Sequence, residues 1–550
     1  MTLIPSSETL TVEFKSDRKG LPDHELVEAL VGMANAEGGE VFLGVEDDGS
    51  PTGLHANHLG LGGLPGMVAS LTRPPLAVQT ELIEQGPVKV ARITVSKAMR
   101  IVATAGGLVV RRQLRSDGKP ENAPMYPGDY LTRQGDLGIL DFSALPVETA
   151  SADDLDPLER VRLRNMIELF RGDAALLNLD DQALDEALNL TVAQGGRQVP
   201  TVAGLLILGR ERALKAHLST HEAAFQVLDG TDVRVNAFMR WPLLKTFQYL
   251  DEQFALRYEE QELNSGLFRV PVPNFDRRGF REALVNALIH RDFTRLGTVH
   301  FVWENDGITI SNPGGFPAGV NPDNILTVRP TPRNPCLADA IKRIGIAERT
   351  GRGVDLIFEG LLRFGRPAPD YSATGATAVV VKLFGGKADL AFLENVLTEE
   401  KRLGALLPLE ALIVLATLKR DRRRGTADLA RAMQRAEASA RPVLERLVEN
   451  GLVEAHGTTH RIYTLSSRLY RNSGQSAAYV RQSGIEPIRH EEMVLKLVET
   501  QGILRRADVM ELCGLSPNQA RKLLARLVES GRLQRDGKTR GATYQLAGPR

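Results

Sequence analysis

The sequence predicts a multidomain α+β protein, and three observations lead there. A strand–helix–strand order opens the chain. A helix followed by an Asp-Gly hairpin occupies its middle. A helix–glycine–strand–turn–strand pattern occurs twice near its end, offset by about 80 residues. A length of 550 residues corresponds to roughly three to five domains. With 43% hydrophobic and 25% charged residues and a formal net charge of +0, the composition is that of a globular protein and excludes long disorder. The neutrality hides an asymmetry: residues 401–550 hold 27 Lys and Arg against 15 Asp and Glu. A basic C-terminal region points to nucleic acid there. Two cysteines, Cys336 and Cys513, are too few for a disulfide framework or a zinc site. No apolar run reaches the roughly 18 residues of a membrane span, and no signal-peptide pattern opens the chain. The expectation is a cytoplasmic protein with no membrane partner.

The first strand is read from "TVEFK", where Val12 and Phe14 alternate with Thr11, Glu13 and Lys15. Residues two apart share a face, so Glu13 and Lys15 point together. Glu8 precedes the alternation. In "DHELVEALVGMANAEGG", Leu26, Val27, Leu30, Val31 and Ala34 recur at helical spacing. Pro22 and Asp23 suit the start of that helix, and Gly38-Gly39 suits its end. "EVFLGVEDDGS" then reads as a buried strand and a turn that presents Glu46, Asp47 and Asp48. A later segment, "MRIVATAGGLVVRRQLRSDGKP", offers Arg100, Arg111, Arg112, Arg115 and Lys119, either as contacts to a phosphate backbone or as solvated loop charges.

"ExxxxEFK" followed by "ANAEGGEVFLGVEDDG" resembles the Schlafen AlbA-like domain over roughly residues 1–145. Nuclease members of that family carry a metal-dependent RNA-cleaving site on two glutamates and an aspartate. The resemblance places these on Glu8, Glu13 and Asp47, with Mg²⁺ or Mn²⁺ between them, and Arg112 near the family's strand arginine; Lys15, Arg111, Arg112 and Arg115 are the residues expected to face nucleic acid. Three clustered carboxylates repel one another unless a hard cation neutralises them. The alternative is a domain that binds nucleic acid without cleaving it.

Residues 128–160 read as a linker. "DPLERVRLRNMIELF" reads as an amphipathic helix with Leu158, Val161, Ile167 and Leu169 toward a core. "VPTVAGLLILGRERALKAHL" is strongly apolar, and residues 146–265 are expected to form a linker and scaffold domain.

In "FREALVNALIHRDF", residues 280–293, Glu282 and Asn286 are four apart and share a helix face; His290 follows one turn later. "TVHFVWENDGITISNPGGFP" reads as a hairpin ending at Asn312, Gly314 and Gly315. "ERTGRGVDLI" places Gly351, Arg352 and Gly353 ahead of another helix, where backbone N–H groups favour anions. Arg333 and Asn334 lie between them in sequence. This ordered set resembles the ATP-binding α/β sandwich of the histidine kinase, gyrase and Hsp90 (GHKL) group over about residues 266–390. The resemblance implies ATP, with Asn286 holding Mg²⁺ and Glu282 able to activate water. It also implies adenine recognition at Asn312, where the family has aspartate. His290, Gly314, Gly315, Arg333, Asn334, Gly351, Arg352 and Gly353 complete the expected cofactor set.

The repeated pattern, at 400–470 and 484–550, has the layout of a winged helix-turn-helix. Ser516-Pro517 suits a helix start. The early exposed residues of such a helix reach bases: Asn518, Gln519, Arg521 and Lys522 in the second copy, Ser439, Arg441 and Arg446 in the first. Arg535, Lys538 and Arg540 in the second wing suit phosphates. The expectation is an ATP-responsive nucleic-acid-binding regulator. DNA is favoured and RNA admitted as the partner, and a homo-oligomer is the expected assembly. The rivals are a metal-dependent nuclease gated by ATP and a structural assembly protein.

Overall fold

A computed structural model describes residues 4–85, 87–115, 118–265, 268–317, 319–348, 350–457, 461–472, 490–513, 515–537 and 542–547. The chain is multidomain α+β, and it divides into two compact units, Met1–Phe142 and Ser143–Arg550. Among the described residues no helix is long and apolar enough to cross a membrane.

The first unit is built on a four-stranded sheet. Its strands are β1 (Val12–Lys15), β2 (Gly38–Leu43), β3 (Val78–Gln85) and β4 (Val88–Ser96), in the order β1-β2-β4-β3. β1 and β2 run parallel, which requires the crossover helix α1 (Asp23–Ala34) between them. The glycine pair expected to end α1 instead begins β2. A side chain at Gly39 would lie 2.4 Å from the Thr11 carbonyl oxygen, so glycine permits the close approach of the two segments. One sheet face packs Val41, Leu43, Ile93 and Val95 against Leu30, Val31 and Met33 of α1. The other collects Phe14, Phe42, Ile83 and Val90. The hairpin β5 (Val110–Leu114) and β6 (Pro120–Pro124) packs on α1. Asn35 latches that region: its amide donates to the carbonyls of Val102 (2.7 Å) and Val110 (2.9 Å).

The supposed linker contains a helix, Pro127–Asp136, capped through Asp129. In the second unit α2 (Pro157–Leu169) forms as expected, but its phase differs. Leu163, Met166 and Ile167 face inward, whereas Leu158, Val161 and Leu169 are 72%, 54% and 73% exposed. Arginines at 160, 162 and 164 blurred the apolar stripe by leaving only scattered apolar positions to read.

A five-stranded mixed sheet organises the middle of this unit. It contains β7 (Ala223–Asp229), β8 (Asp232–Met239), β9 (Val299–Glu304), β10 (Gly307–Pro313) and β11 (Ala378–Phe384), in the order β8-β7-β9-β10-β11. β9 and β10 form the expected hairpin, with Glu304 opposite Gly307. Helix α3 (Arg277–Ile289) packs on β10 and on α5 (Gly353–Leu362), while α4 (Pro335–Ile344) precedes α5. Asp276 caps α3 by accepting from the Gly279 N–H at 2.7 Å.

Two small helical segments follow. The first has α6 (Leu409–Asp421), α7 (Thr426–Ala432), α8 (Glu437–Glu449) and strands β12 (Val453–His456) and β13 (Ile462–Leu465). A two-residue strand, Arg424–Gly425, completes its sheet beside β13. The second repeats that order with α9 (His490–Gln501), α10 (Arg506–Cys513), α11 (Pro517–Glu529), β14 (Leu533–Asp536) and β15 (Thr543–Leu546). It has its own core, including Val494, Val498, Leu504, Val509, Leu524 and Leu527.

Candidate functional site

The acidic residues of the first unit surround an arginine. β5 and β6 carry Arg112 and Asn122 opposite each other, and both reach Glu13. Arg112 Nη1 donates to Glu13 Oε2 at 2.6 Å, and Asn122 Nδ2 approaches the same oxygen at 3.2 Å. Lys15 Nζ pairs with Glu13 Oε1 at 2.8 Å. Arg112 also donates to the carbonyls of Thr9 (3.0 Å) and Val12 (3.1 Å), and it lies 4.0 Å from Glu8. Glu8 accepts the Phe14 N–H at 2.8 Å. Glu13 and Arg112 are only 3% and 5% exposed.

Thus Glu8 and Glu13 meet at a guanidinium, while Asp47 lies exposed in the turn after β2. Glu46, beside it, is engaged with Ser16 (2.9 Å), Thr52 (2.5 Å) and Arg18 (3.1 Å). The Thr52 hydrogen bond leads in holding the Glu46 carboxyl below its ordinary range. Among the described residues no group of three or more His, Cys, Asp or Glu is placed to hold a metal ion. Glu8, Glu13 and Asp47, the trio expected to hold Mg²⁺ or Mn²⁺, do not form such a group here. Arg112 and Lys15 already supply the positive charge that a cation would bring. Arg112, expected to touch nucleic acid, is here buried in this network. Arg111 pairs with Asp129 at 3.1 Å, and Arg115, more exposed, lies 3.9 Å from Glu121.

The second unit contains a cavity of about 200 Å³ between the sheet and its helices. α3 presents Glu282, Asn286 and His290 along one wall. Ile310 and Asn312 of β10 sit beside Val381 and Val379 of β11 along another, because antiparallel partners share a face. Gly315, Gly351, Gly353, Lys342, Glu348 and Tyr371 also line it, and the loop at Val320–Pro332 closes one side.

Two buried polar atoms on this wall have no hydrogen-bond partner among the described residues: Glu282 Oε1 and Asn312 Nδ2. Glu282 is 2% exposed, and burial pushes its carboxyl up to about 7. Arg281 opposes that rise and the neighbouring Glu348 adds to it. Burial lowers His290 to about 4, helped by Arg333 and Lys342, so its ring is neutral at physiological pH. A side chain at Gly353 would sit 2.6 Å from Glu282 Oε2, which explains glycine there. Gly351 adopts φ +79 and turns the loop ahead of α5.

Other expected residues take different positions. Gly314, at φ +93, packs on Asp292. Arg333 lies behind the glycine pair, donating to the Gly315 carbonyl at 2.7 Å, and is not a cavity residue. Asn334 uses its amide on the carbonyls of Ile289 and Arg291, both at 2.8 Å, and so holds the end of α3 rather than a ligand. Arg352 is exposed and lies 3.6 Å from Asp355. Sequence reasoning passed over Glu348, whose carboxylate accepts the N–H groups of Thr350 (2.7 Å) and Arg352 (3.0 Å). Two residues ahead of Thr350, Glu348 carried no sequence signal for this role, because the short-range backbone-binding rule covers Ser, Thr, Asn and Asp rather than Glu.

In the last segment, Ser516 caps α11 with Pro517 at the first helical position, and Gln519 completes a capping box. Asn518, Gln519, Arg521 and Lys522 are exposed on the first turns of α11, and Arg535 is exposed on β14. Lys538 and Arg540 lie outside the described residues.

Four stretches of the chain match family models. Residues 8–121 match "Schlafen, AlbA_2" and residues 281–383 match "Putative ATP-dependent DNA helicase recG C-terminal", of the HATPase_c_4 type. Residues 131–223 match a domain of unknown function, and residues 492–537 match "Transcriptional regulator, AbiEi antitoxin". No curated protein matches the chain. Among solved structures, the DIP2311 protein from Corynebacterium diphtheriae aligns with 98% of this chain and 95% of its own, at 22% identity and a TM-score of 0.49. The chain thus combines a Schlafen AlbA_2 domain, an ATPase-type domain and an AbiEi-type regulator domain, the composition its motifs led one to expect.

Proposed function

We propose that this protein is an ATP-responsive, nucleic-acid-binding regulator with duplex DNA as its principal partner. The observation that carries the reading is the pair of unpartnered buried polar atoms, Glu282 Oε1 and Asn312 Nδ2, on the wall of one cavity. Buried polar groups are usually satisfied, and these two face the same cavity, where a polar ligand would satisfy them. In this reading the β8-β7-β9-β10-β11 sheet and its helices form a GHKL-type sandwich. Asn312 meets the base, the neutral His290 and apolar Ile310 flank it, and Gly351 with the start of α5 receives the phosphates. Asn286 and Lys342 stand where Mg²⁺ and phosphate charge would be met; Mg²⁺ keeps waters and phosphate ligands and needs few protein groups. ATP supplies anionic phosphates and a purine face, and binding alone suffices for a switch.

The two C-terminal segments act as winged helices. In the second, exposed Asn518, Arg521 and Lys522 at the start of α11 suit base edges and phosphates. For the AlbA_2 domain we favour nucleic-acid binding over metal-dependent cleavage, because Glu8 and Glu13 turn to Arg112. Thermal-shift titration with ATP and Mg²⁺ tests the central point. Stabilisation that saturates with nucleotide is expected; none at millimolar concentration would remove the proposal.

A further inference from the structure

The loop that closes the cavity is tied to the first winged-helix segment by one side chain. Gln434 follows α7, with φ +54, in the turn between α7 and α8. Its Oε1 accepts the Leu326 N–H at 2.8 Å, and its Nε2 donates to the Pro322 carbonyl at 2.8 Å. Leu326 lines the cavity together with Val320, Ile325 and Val328 of the same loop. A second link runs in parallel: α5, whose N-terminus borders the cavity, packs against α6.

The free space in the cavity is about 200 Å³, at the small end for a ligand of nucleotide size. A nucleotide entering it would press on the wall, and first on the part least held. α3, β10 and β11 are held by helix and ladder hydrogen bonds, whereas residues 320–332 form turns outside any strand or helix. That loop is the part that yields, and Gln434 is bonded to it at two points.

We infer that Gln434 is a clip coupling nucleotide occupancy to the first winged-helix segment: ATP displaces the Pro322–Leu326 loop, breaks both bonds and frees the turn that leads into α8. The helix so released carries Ser439 and Arg441 on its first turns. The inference rests on the cavity being the nucleotide site. It adds that the site communicates with a neighbouring segment, and by reciprocity that segment sets nucleotide affinity.

Hydrogen exchange on the full chain, with and without ATP and Mg²⁺, tests it, because the Leu326 amide is itself the reporter. In the wild type, ATP should speed exchange at Leu326 and at residues 434–441. In Gln434→Ala, the Leu326 amide should exchange fast already and ignore ATP. That variant should also bind ATP about five- to tenfold more tightly, since no clip has to be broken. Gln434→Glu keeps the acceptor for Leu326 and loses the donor to Pro322, so its affinity should fall between the two. If ATP stabilises both proteins equally and leaves exchange at 434–441 unchanged, the clip is refuted while the nucleotide site stands. If ATP binds neither protein, the nucleotide site itself is refuted and the clip falls with it.

Discussion

Glu282→Gln should stabilise the second unit, and by an amount that grows with pH. The carboxyl is 2% exposed, faces the charge of Glu348 and is raised from an ordinary 4.5 to about 7. The folded chain thus holds a proton that the unfolded chain releases. The stabilisation from that proton is complete below about pH 4.5 and is lost as pH rises through about 7. Relative to a neutral isostere, glutamate then costs roughly 3 kcal/mol at pH 8 and under about 1 kcal/mol at pH 5. Glutamine keeps the shape and removes the charge, so its advantage should appear as a rise in Tm of several degrees at pH 8 and little change at pH 5. Calorimetric melting of both proteins at the two pH values measures this. An equal Tm difference at pH 5 and pH 8, or a variant less stable at pH 8, would show that the carboxyl is not held protonated by burial.

Three further outcomes follow from the geometry. Arg112→Ala leaves Glu13 buried without its main counter-charge and should destabilise the first unit by about 3–5 kcal/mol in urea unfolding, with Glu13→Gln in the same chain recovering part of the loss. Gly353→Ala places a methyl group 2.6 Å from Glu282 Oε2, so ATP-dependent thermal stabilisation should disappear while the circular dichroism spectrum stays unchanged. Binding of duplex DNA by the 486–550 fragment, which contains its own core, should weaken steeply with salt; replacing both Arg521 and Lys522 by alanine should reduce the log–log salt slope by about 2.

Local chemistry was legible wherever one or two turns of chain decided it. The i,i+4 spacing of Glu282 and Asn286 put both on one cavity wall, the Asp306-Gly307 signal marked the β9–β10 hairpin, and Ser516-Pro517 marked the start of α11. Contacts between distant segments were not legible. Arg112 and Glu13 are 99 residues apart, and local pattern in "VVRRQ" does not show which arginine reaches Glu13; only the family resemblance pointed to Arg112. Asn334, expected in the cofactor set, instead satisfies the carbonyls of Ile289 and Arg291 at the end of α3. Gln434 gave no signal at all, since its partners Pro322 and Leu326 lie 112 and 108 residues away.

The internal guanidinium of the first unit has a practical corollary. The Arg112 guanidinium is a counter-ion fixed to the chain, so the pairing of Glu8 and Glu13 with it should survive EDTA.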